Sequence, residues 1–264
     1  MDAHPSLPQR RLTITLDRQG GEVLALGVLL PAEPAIFADI MPAVRAVADA
    51  LQDEAQRTLA GLGQTVSCGS GCDTCCSHLV MLGEAEALAL LGTLRALPPD
   101  LHSRVAERFR VGIERLESAG LMPDLYAAFT RQTHDARLLA RMQAAYWALG
   151  IPCPFLEGGL CAVYDERPLV CRQYAMTSPP AACRTPFSAE TALVKVLPPL
   201  DLAGAAAGFD GLSAHASRVL PLLLCLLRQA HLDRRAYPVL EPEPMLARFL
   251  DFAAGHYARK EHHP

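Results

Sequence analysis

The chain has little excess charge of either sign, few aromatic residues and no long apolar run. Its 264 residues carry a net charge of −4, and aromatic residues make up 6%. A nucleic-acid-binding surface needs a basic face, so we expect no nucleic-acid partner. The longest apolar run, within residues 219–227, is interrupted by Pro221 and is too short to cross a bilayer. Because the first residues also show no signal-peptide pattern, we predict a cytoplasmic protein that does not bind membranes.

The pattern of hydrophobic residues predicts an α+β fold that is mostly α, with a few short β-strands. Residues 11–30 alternate between apolar and polar around Gly20-Gly21, which predicts an N-terminal hairpin. Residues 190–198 favour one further strand, and residues 200–212 favour a weak helix or a flexible connection. Helical spacing of apolar residues recurs in six segments: 34–60, 83–96, 99–119, 123–149, 211–235 and 243–258.

These elements and the positions of the cysteines divide the chain into three regions. Residues 1–65 contain the hairpin and the first helix, residues 66–185 form a cysteine-cluster domain, and residues 186–264 form a C-terminal helical region. A chain in which 51% of the residues are hydrophobic can form a core without disulfides. We expect the three regions to pack as one compact unit, organised around a cysteine-ligated metal site.

The cysteines are the main chemical feature, because eight of the nine lie in two clusters. In a reducing compartment, clustered thiols are metal ligands or redox groups more often than disulfides. The first cluster, CGSGCDTCC, contains Cys68, Cys72, Cys75 and Cys76. A helix beginning near Cys72 would place the last three on one face. Because adjacent side chains diverge, we expect two or three of the four to bind one ion and the others to serve a second site, the surroundings of the first, or redox chemistry.

The first cluster also has the C-x3-C-x2-C spacing of radical S-adenosylmethionine enzymes. Those enzymes usually have an aromatic residue where this chain has Thr74, and their motif opens a β/α barrel. Successive helices, rather than alternating strands and helices, are predicted after Cys76. A motif needs its structural context, so this interpretation is not favoured.

The second cluster contains Cys153, Cys161, Cys171 and Cys183. The segment Glu157-Gly158-Gly159 predicts a turn between two short extended pieces. A three-residue loop would put Cys153 and Cys161 on the same face of this hairpin, whereas a two-residue loop would put them on opposite faces. A metal shared by these two cysteines therefore predicts the longer loop.

The chain around Cys171 predicts a short helix with basic neighbours. Pro168 fits only the first turn of such a helix, and Cys171 would lie on it. Arg167 and Arg172 would compensate the negative charge of a thiolate site or donate hydrogen bonds to it, or else be solvated surface charges. Cys183 stands in a Pro/Ala loop with no metal spacing of its own, so its role as a ligand is open.

Together the two clusters resemble the bacterial YkgJ-type cysteine-cluster family, described as a zinc- or iron-chelating domain. The resemblance rests on CGSGCDTCC at residues 68–76 and on CPFL…C…Y…RP…CR.Y at residues 153–174, and it covers about residues 66–183. The first gap in this chain is three residues, where the family pattern has two. The resemblance implies metal chelation by the clustered cysteines. Flagellin lysine methylases have a related cluster, so the resemblance also makes an S-adenosylmethionine-linked enzyme a conceivable relative.

We therefore predict a metal-binding protein that holds zinc or an iron–sulfur cluster. Eight thiols exceed the need of one ion and histidine is scarce among them, which favours a [4Fe–4S] cluster over zinc. The candidate ligands are all eight clustered cysteines: Cys68, Cys72, Cys75, Cys76, Cys153, Cys161, Cys171 and Cys183.

Three roles are compatible with this site. The metal could stabilise the fold, it could serve an iron–sulfur enzyme that catalyses redox or methyl-transfer chemistry, or the thiols could carry metal to a partner. An enzyme would turn Arg167, Arg172, Tyr164 or Tyr174 toward a substrate. The sequence identifies no catalytic residue and no protein partner.

The remaining cysteine and several histidines outside the two clusters are weaker candidates for metal ligands. His78 follows the first cluster and would complete a Cys3His site or hydrogen-bond beside it. Cys225, within PLLLCLL, is expected to be a buried core thiol. His256, His262 and His263 lie in a tail that we expect to be frayed rather than metal-binding.

Overall fold

The computed structural model describes residues 8–17, 23–130, 136–188, 190–212 and 219–258. Within these ranges the fold is mostly helical with a few short antiparallel strands, which confirms the predicted α+β class. The α-helices of these ranges are α1 (Met41–Gly61), α2 (Glu84–Ala96), α3 (Pro99–Ser118), α4 (Met122–Thr130), α5 (Ala136–Leu149), α6 (Leu169–Arg172), α7 (Leu202–Ala207), α8 (Cys225–Leu232) and α9 (Pro242–Tyr257). The strands are β1 (Gln9–Asp17), β2 (Val23–Pro31), β3 (Met81–Gly83), β4 (Leu156–Glu157), β5 (Leu160–Cys161) and β6 (Val219–Pro221).

The predicted N-terminal hairpin is confirmed. Strands β1 and β2 pair in antiparallel register from Gln9 opposite Pro31 to Asp17 opposite Val23. The predicted turn at Gly20-Gly21 lies outside the described residues. Strand β2 contacts α1, which covers one face of the hairpin and buries Leu30.

The first hydrophobic core joins the N-terminal elements to the C-terminal ones. It contains residues of β2, α1, α7 and α9. At its centre the ring of Phe37 lies 5.0 Å from that of Phe209 and 5.1 Å from that of Phe249, measured between centroids. Leu169 of α6 is fully buried in the same core. The helix that carries Cys171 is therefore attached to the first core.

The second hydrophobic core is built from the middle of the chain. It contains residues of α2, α3, α5, β6 and α8. Phe155, which lies between Cys153 and Cys161, is buried in this core with its ring edge-to-face against Phe109 of α3, at 5.7 Å. The hairpin of the second cysteine cluster is thus attached to the second core, whereas α6 is attached to the first.

Most predicted helices are confirmed, and two predicted elements are wrong. The helix predicted at 211–235 begins only at Cys225 within the described residues, because Pro221 lacks an N–H and lies in strand β6. The strand predicted at 190–198 is reduced to one isolated antiparallel bridge, between Lys195 and Met176. Residues 202–207 of the Ala/Gly-rich segment form α7. Residues 131–135, within the predicted helix 123–149, lie outside the described part.

Among the residues that the structure describes, no helix is both long enough and apolar enough to cross a bilayer.

The close approach of α7 to β3 requires glycine at position 83. A Cβ atom at Gly83 would lie 2.6 Å from the backbone oxygen of Ala206. We expect Gly83→Ala to lower the free energy of unfolding by about 1–3 kcal/mol, because the two backbones must separate. Denaturation with urea measures the change.

Gly92 provides the matched control for this substitution. It lies in the exposed face of α2, and nothing stands within 4 Å of a Cβ atom placed there. Gly92→Ala should be neutral or stabilise the protein by about 0.5–1 kcal/mol. Equal effects of the two substitutions would show that Gly83 is not closely packed.

Candidate metal centre

The first cysteine cluster lies in two successive turns rather than on one helix. Cys75 and Cys76 belong to a short 3-10 turn, Thr74–Ser77. Cys72 precedes it, in a turn closed by a 3.1 Å hydrogen bond from its N–H to the oxygen of Gly69. Gly71 has a φ of +83° and turns the chain directly before Cys72. Because the 3-10 turn begins at Thr74, Cys72 lies outside it, and the helix considered near Cys72, with three cysteines on one face, does not form.

The hairpin of the second cluster has a two-residue loop. Glu157 pairs with Leu160 and Leu156 with Cys161, so the predicted three-residue loop is wrong. Gly158 and Gly159 have φ angles of +56° and +81°, as the two central residues of a tight hairpin turn require.

The shorter loop does not separate the two cysteines of this hairpin. Cys153 lies before the paired strands, in a turn where the N–H of Leu156 donates to the Cys153 oxygen at 3.0 Å. The alternation of a strand therefore does not determine the direction of the Cys153 side chain. The prediction was wrong because it treated Cys153 as a strand residue.

Helix α3 holds this hairpin in place through two arginines. The Nε of Arg104 donates to the Glu157 carboxylate at 3.2 Å, and Arg108 pairs with the same carboxylate. Arg108 also donates to the backbone oxygen of Pro154 at 3.0 Å. These contacts, with the Phe109–Phe155 packing, fix the position of Cys153 against α3.

A backbone hydrogen bond joins the two cysteine clusters. The N–H of Cys153 donates to the oxygen of Cys76 at 2.7 Å, although 77 positions separate them along the chain. The turn of the first cluster therefore lies directly beside the start of the second.

A buried polar network positions Cys171 on α6, whose prediction as a short helix is confirmed. Glu86 of α2 is buried, and its carboxylate accepts a 2.8 Å hydrogen bond from the N–H of Leu169 at the start of α6. At the other end, buried Arg172 pairs with Asp49 and donates from Nε to the oxygen of Arg167 at 3.0 Å. The Arg172 guanidinium is thus engaged in buried polar contacts that hold α6 in place.

Four cysteines converge where these segments meet: Cys75, Cys153, Cys161 and Cys171. We call them the inner quartet. Burial raises the pKa of Cys153 to about 12, and the charges of Cys161 and Cys75 raise it too. Burial is also the main cause that raises the pKa of Cys171, followed by the charges of Cys153, Cys75 and Cys161. Since the pKa of Cys161 responds to Cys75 as well, every pair within the quartet is electrostatically coupled.

Other neighbours of the quartet also shift the thiol pKa values, some upward and some downward. The pKa of Cys75 is raised first by a hydrogen bond with the adjacent Cys76 thiol, then by burial. Backbone hydrogen bonds from Phe155 and Val163 act in the opposite direction and lower the pKa of Cys153 and Cys161 respectively. Backbone N–H groups that point at sulfur stabilise the thiolate, as they do around bound metals.

Arg167 supplies hydrogen-bond donors beside the quartet. Its positive charge lowers the pKa of Cys161. The Nε and Nη1 atoms of Arg167 are buried and have no hydrogen-bond partner within the described structure. The guanidinium carbon lies 3.7 Å from the ring centroid of Tyr164, which is 62% exposed. Arg167 and Arg172 were both predicted to compensate the charge of the thiolates. Of the two, Arg167 lies beside Cys161 and has hydrogen-bond donors without partners in the described structure.

The other candidate ligands lie around the quartet. Cys76 is half-buried next to Cys75, while Cys68 and Cys72 are exposed and Cys183 lies in a 3-10 turn, Ala182–Arg184. Cys225 is a buried thiol of the second core, as expected, with its sulfur 3.8 Å from the oxygen of Pro221.

His78 belongs to an aromatic cluster next to the cysteines. Its Nε2 lies 3.1 Å from the hydroxyl of Tyr174, and its ring centroid lies 4.7 Å from Trp147 and 6.0 Å from Phe187. Burial, with the charge of Lys195, lowers the pKa of His78 to about 4. This ring is engaged with aromatic neighbours. Of the tail histidines, His256 packs on Phe252, while His262 and His263 lie outside the described residues.

The donor chemistry of the quartet fits a thiolate-bound metal, although its geometry is open. Among the described residues, no group of three or more Cys, His, Asp or Glu side chains is already arranged to hold a metal ion. The four thiols are nevertheless mutually coupled, and Cys161 also interacts with Arg167, whose Nε and Nη1 atoms are unpaired within the described structure. Binding a metal would draw the four sulfurs together and release their protons.

The sequence did not identify the buried polar residues that hold α6, and with it Cys171, in place. Glu86 and Asp49 lie on helices far from the cysteines in sequence and belong to no motif. Arg45, which is 6% exposed, is attracted to Glu86 in the same buried network. In the sequence, these residues could have been found only as charged positions on helices that are otherwise apolar on that face.

Removing the Glu86 carboxylate should destabilise the fold strongly. Glu86→Ala leaves the Leu169 N–H unsatisfied and deprives buried Arg45 of an attracting charge. We expect the free energy of unfolding to fall by about 3–5 kcal/mol. Glu107→Ala, which breaks an exposed ion pair with Arg110, is the control and should change the free energy of unfolding far less in the same urea titration.

Metal affinity should rise with pH. The raised pKa values of Cys153, Cys161 and Cys171 keep these thiols protonated near neutral pH, and the metal binds thiolates. Each proton displaced should strengthen apparent affinity by about tenfold per pH unit. Competition with a chromophoric chelator between about pH 6 and pH 8 measures the slope. Affinity for Zn²⁺ that does not change over this range would contradict ligation by the quartet.

Comparison with known proteins agrees with the geometry of the site. The family model CxxCxxCC, described as a putative zinc- or iron-chelating domain, matches residues 67–194. This range includes all eight clustered cysteines and leaves out Cys225. No curated protein and no solved structure matches the chain. The family match supports metal binding, and residues 67–194 of this chain are similar to the zinc- or iron-chelating domain that this family model describes.

Proposed function

We propose that the inner quartet holds a [4Fe–4S] cluster on four thiolates and that this centre locks the two hydrophobic cores together. The observation that supports the proposal is the proximity of Cys75, Cys153, Cys161 and Cys171: the first three raise the pKa of Cys171, and Cys75 also raises the pKa of Cys153 and Cys161. Four cysteines are the number that such a cluster needs, and they are also sufficient for zinc.

Arg167 favours the cluster over zinc. Its buried Nε and Nη1 atoms have no acceptor within the described structure. Leaving such donors unsatisfied costs about 1–3 kcal/mol or more. The thiolates of either centre could accept hydrogen bonds from Arg167, and an iron–sulfur cluster adds inorganic sulfides as further acceptors. A cluster would therefore satisfy a group that the protein itself leaves unpaired.

The position of the quartet explains why metal would stabilise the fold. Cys153 and Cys161 pack against the second core, whereas the helix of Cys171 is attached to the first core through Leu169. A metal bound by all four thiolates connects both cores and the first cysteine cluster at one point. Metal that binds only the folded state adds its binding free energy to stability.

The test is anaerobic purification followed by analysis of metal, sulfide and the visible spectrum. We expect iron and acid-labile sulfide in matching amounts, with a broad absorption band near about 400 nm. Zinc without colour would overturn the cluster and leave a structural zinc site. Folded protein with neither metal would overturn metal binding by the quartet.

Cys171→Ser should remove the metal and lower thermal stability. Cys171 is at the centre of the electrostatic coupling, and serine is a much poorer ligand for these metals than a thiolate. We expect metal content to fall to less than about a tenth of the wild-type value, because one of four ligands is lost. Elemental analysis and the melting temperature measure both effects.

Cys225→Ala is the matched control, since this thiol is buried in the second core outside the quartet. The variant should keep its full metal content while losing some stability to a small cavity. Equal metal loss in Cys171→Ser and Cys225→Ala would show that the loss reports unfolding rather than ligation.

A further inference from the structure

We propose that Cys68, Cys72 and Cys183 form a second metal site that binds one soft metal ion, of the zinc class, on three thiolates and exchanges it with solvent. We call these three cysteines the outer trio. The inference rests on the proposed function, in which the inner quartet holds the resident metal. It assigns a separate role to thiols that one four-thiolate centre does not use.

The turn of the first cluster brings two members of the trio to one surface. The 3.1 Å hydrogen bond from the Cys72 N–H to the Gly69 oxygen closes a tight turn between Cys68 and Cys72. Gly71, with a φ of +83°, reverses the chain directly before Cys72. Cys68 and Cys72 are both exposed, unlike the half-buried members of the quartet. Their thiols are thus presented to solvent from one short loop.

A second set of contacts brings Cys183 to the same loop. The 3-10 turn Ala182–Arg184 contacts the turn Thr74–Ser77. The hydroxyl of Ser67, the residue before Cys68, donates to the backbone oxygen of Ser178 at 2.6 Å, and the Ser67 N–H donates to Met176 at 2.8 Å. Hydrogen bonds therefore join the residue before Cys68 to residues 176–178, which precede Cys183 in the chain.

The electrostatics of the trio agree with this placement. After burial, the charges of Cys68 and Cys72 are the next causes that raise the pKa of Cys183. The pKa of Cys68 is raised by burial and by the charge of Cys72, and it is lowered by a backbone hydrogen bond from Met176. Each pair of the trio is therefore coupled, and Cys68 already receives the type of backbone donor found around thiolate ligands.

Cys75 interacts electrostatically with members of both the inner quartet and the outer trio. Its charge raises the pKa of Cys68 and Cys183 as well as that of the three other quartet cysteines. The two sites would therefore be adjacent, and two of the three trio cysteines, Cys68 and Cys72, are more exposed than the quartet. Three thiolates leave one tetrahedral position of a zinc-class ion open to water. An open position on an exposed loop allows the ion to exchange, whereas the quartet would retain its metal.

The experiment compares labile and resident metal in the whole chain. The purified holoprotein is treated with a chelator, and the metal removed and the metal retained are quantified. The protein is then titrated with Cd²⁺, which gives ultraviolet charge-transfer absorption when thiolates bind it. We expect one equivalent of labile ion that rebinds, in addition to the retained resident metal.

Two variants separate the sites. Cys183→Ser should abolish the labile equivalent and keep the resident metal, whereas Cys171→Ser should remove the resident metal. Retention of the labile equivalent by Cys183→Ser would overturn the outer site. If Cys171→Ser instead keeps its resident metal while Cys183→Ser loses the labile ion, the proposed function of the quartet fails and the outer site stands.

Alkylation provides a readout that does not depend on whether a variant folds. Wild-type holoprotein stripped of labile metal is treated with iodoacetamide with and without added Zn²⁺, and the modified cysteines are identified by mass spectrometry. Zn²⁺ should protect Cys68, Cys72 and Cys183 together. Protection of none of them, or of Cys68 and Cys72 without Cys183, would overturn the proposed trio.

Discussion

The packing of two hydrophobic cores against each other is the constraint on which the candidate metal centre depends. Leu169 is buried in the first core and carries α6 with Cys171, while Phe155 is buried in the second core and carries the hairpin with Cys153 and Cys161. Because interiors are closely packed, the distance between these anchors varies little. The cores thus hold three of the thiols near one another before any metal binds, which reduces the entropy lost on binding.

Burial opposes the ionisation of the thiols in the inner quartet. Burial raises the pKa of Cys153, Cys161 and Cys171, so a neutral pH favours thiols over the thiolates that metals need. Backbone N–H groups and the positive charge of Arg167 offset part of this cost. A bound cation or cluster would supply the rest, since metal displaces protons from such ligands. Metal binding at this site is therefore coupled to the loss of protons from the thiols.

The eight clustered cysteines differ in their surroundings, and this difference separates retention from exchange. Those near both cores are half-buried and supported by the network of Glu86 and Arg172. Cys68 and Cys72 lie on an exposed loop, held by local turns, by the hydrogen bonds of Ser67 and by a backbone hydrogen bond from Met176 to Cys68. Local opening needs less free energy in such a loop than in a packed region. One domain can therefore combine a retained metal with a labile one.

The amino-acid sequence by itself determined the α+β class, the hairpin, most helices and the eight candidate ligands, because periodicity and clustered cysteines are local patterns. Only the tertiary structure suggested how the candidate ligands divide into the inner quartet and the outer trio, since contacts between distant segments leave no local pattern. The loop at Gly158-Gly159 and the position of Cys153 show the same limit. The sequence suggested that loop length would decide whether Cys153 and Cys161 meet, whereas a turn before the strand and packing against α3 decided it.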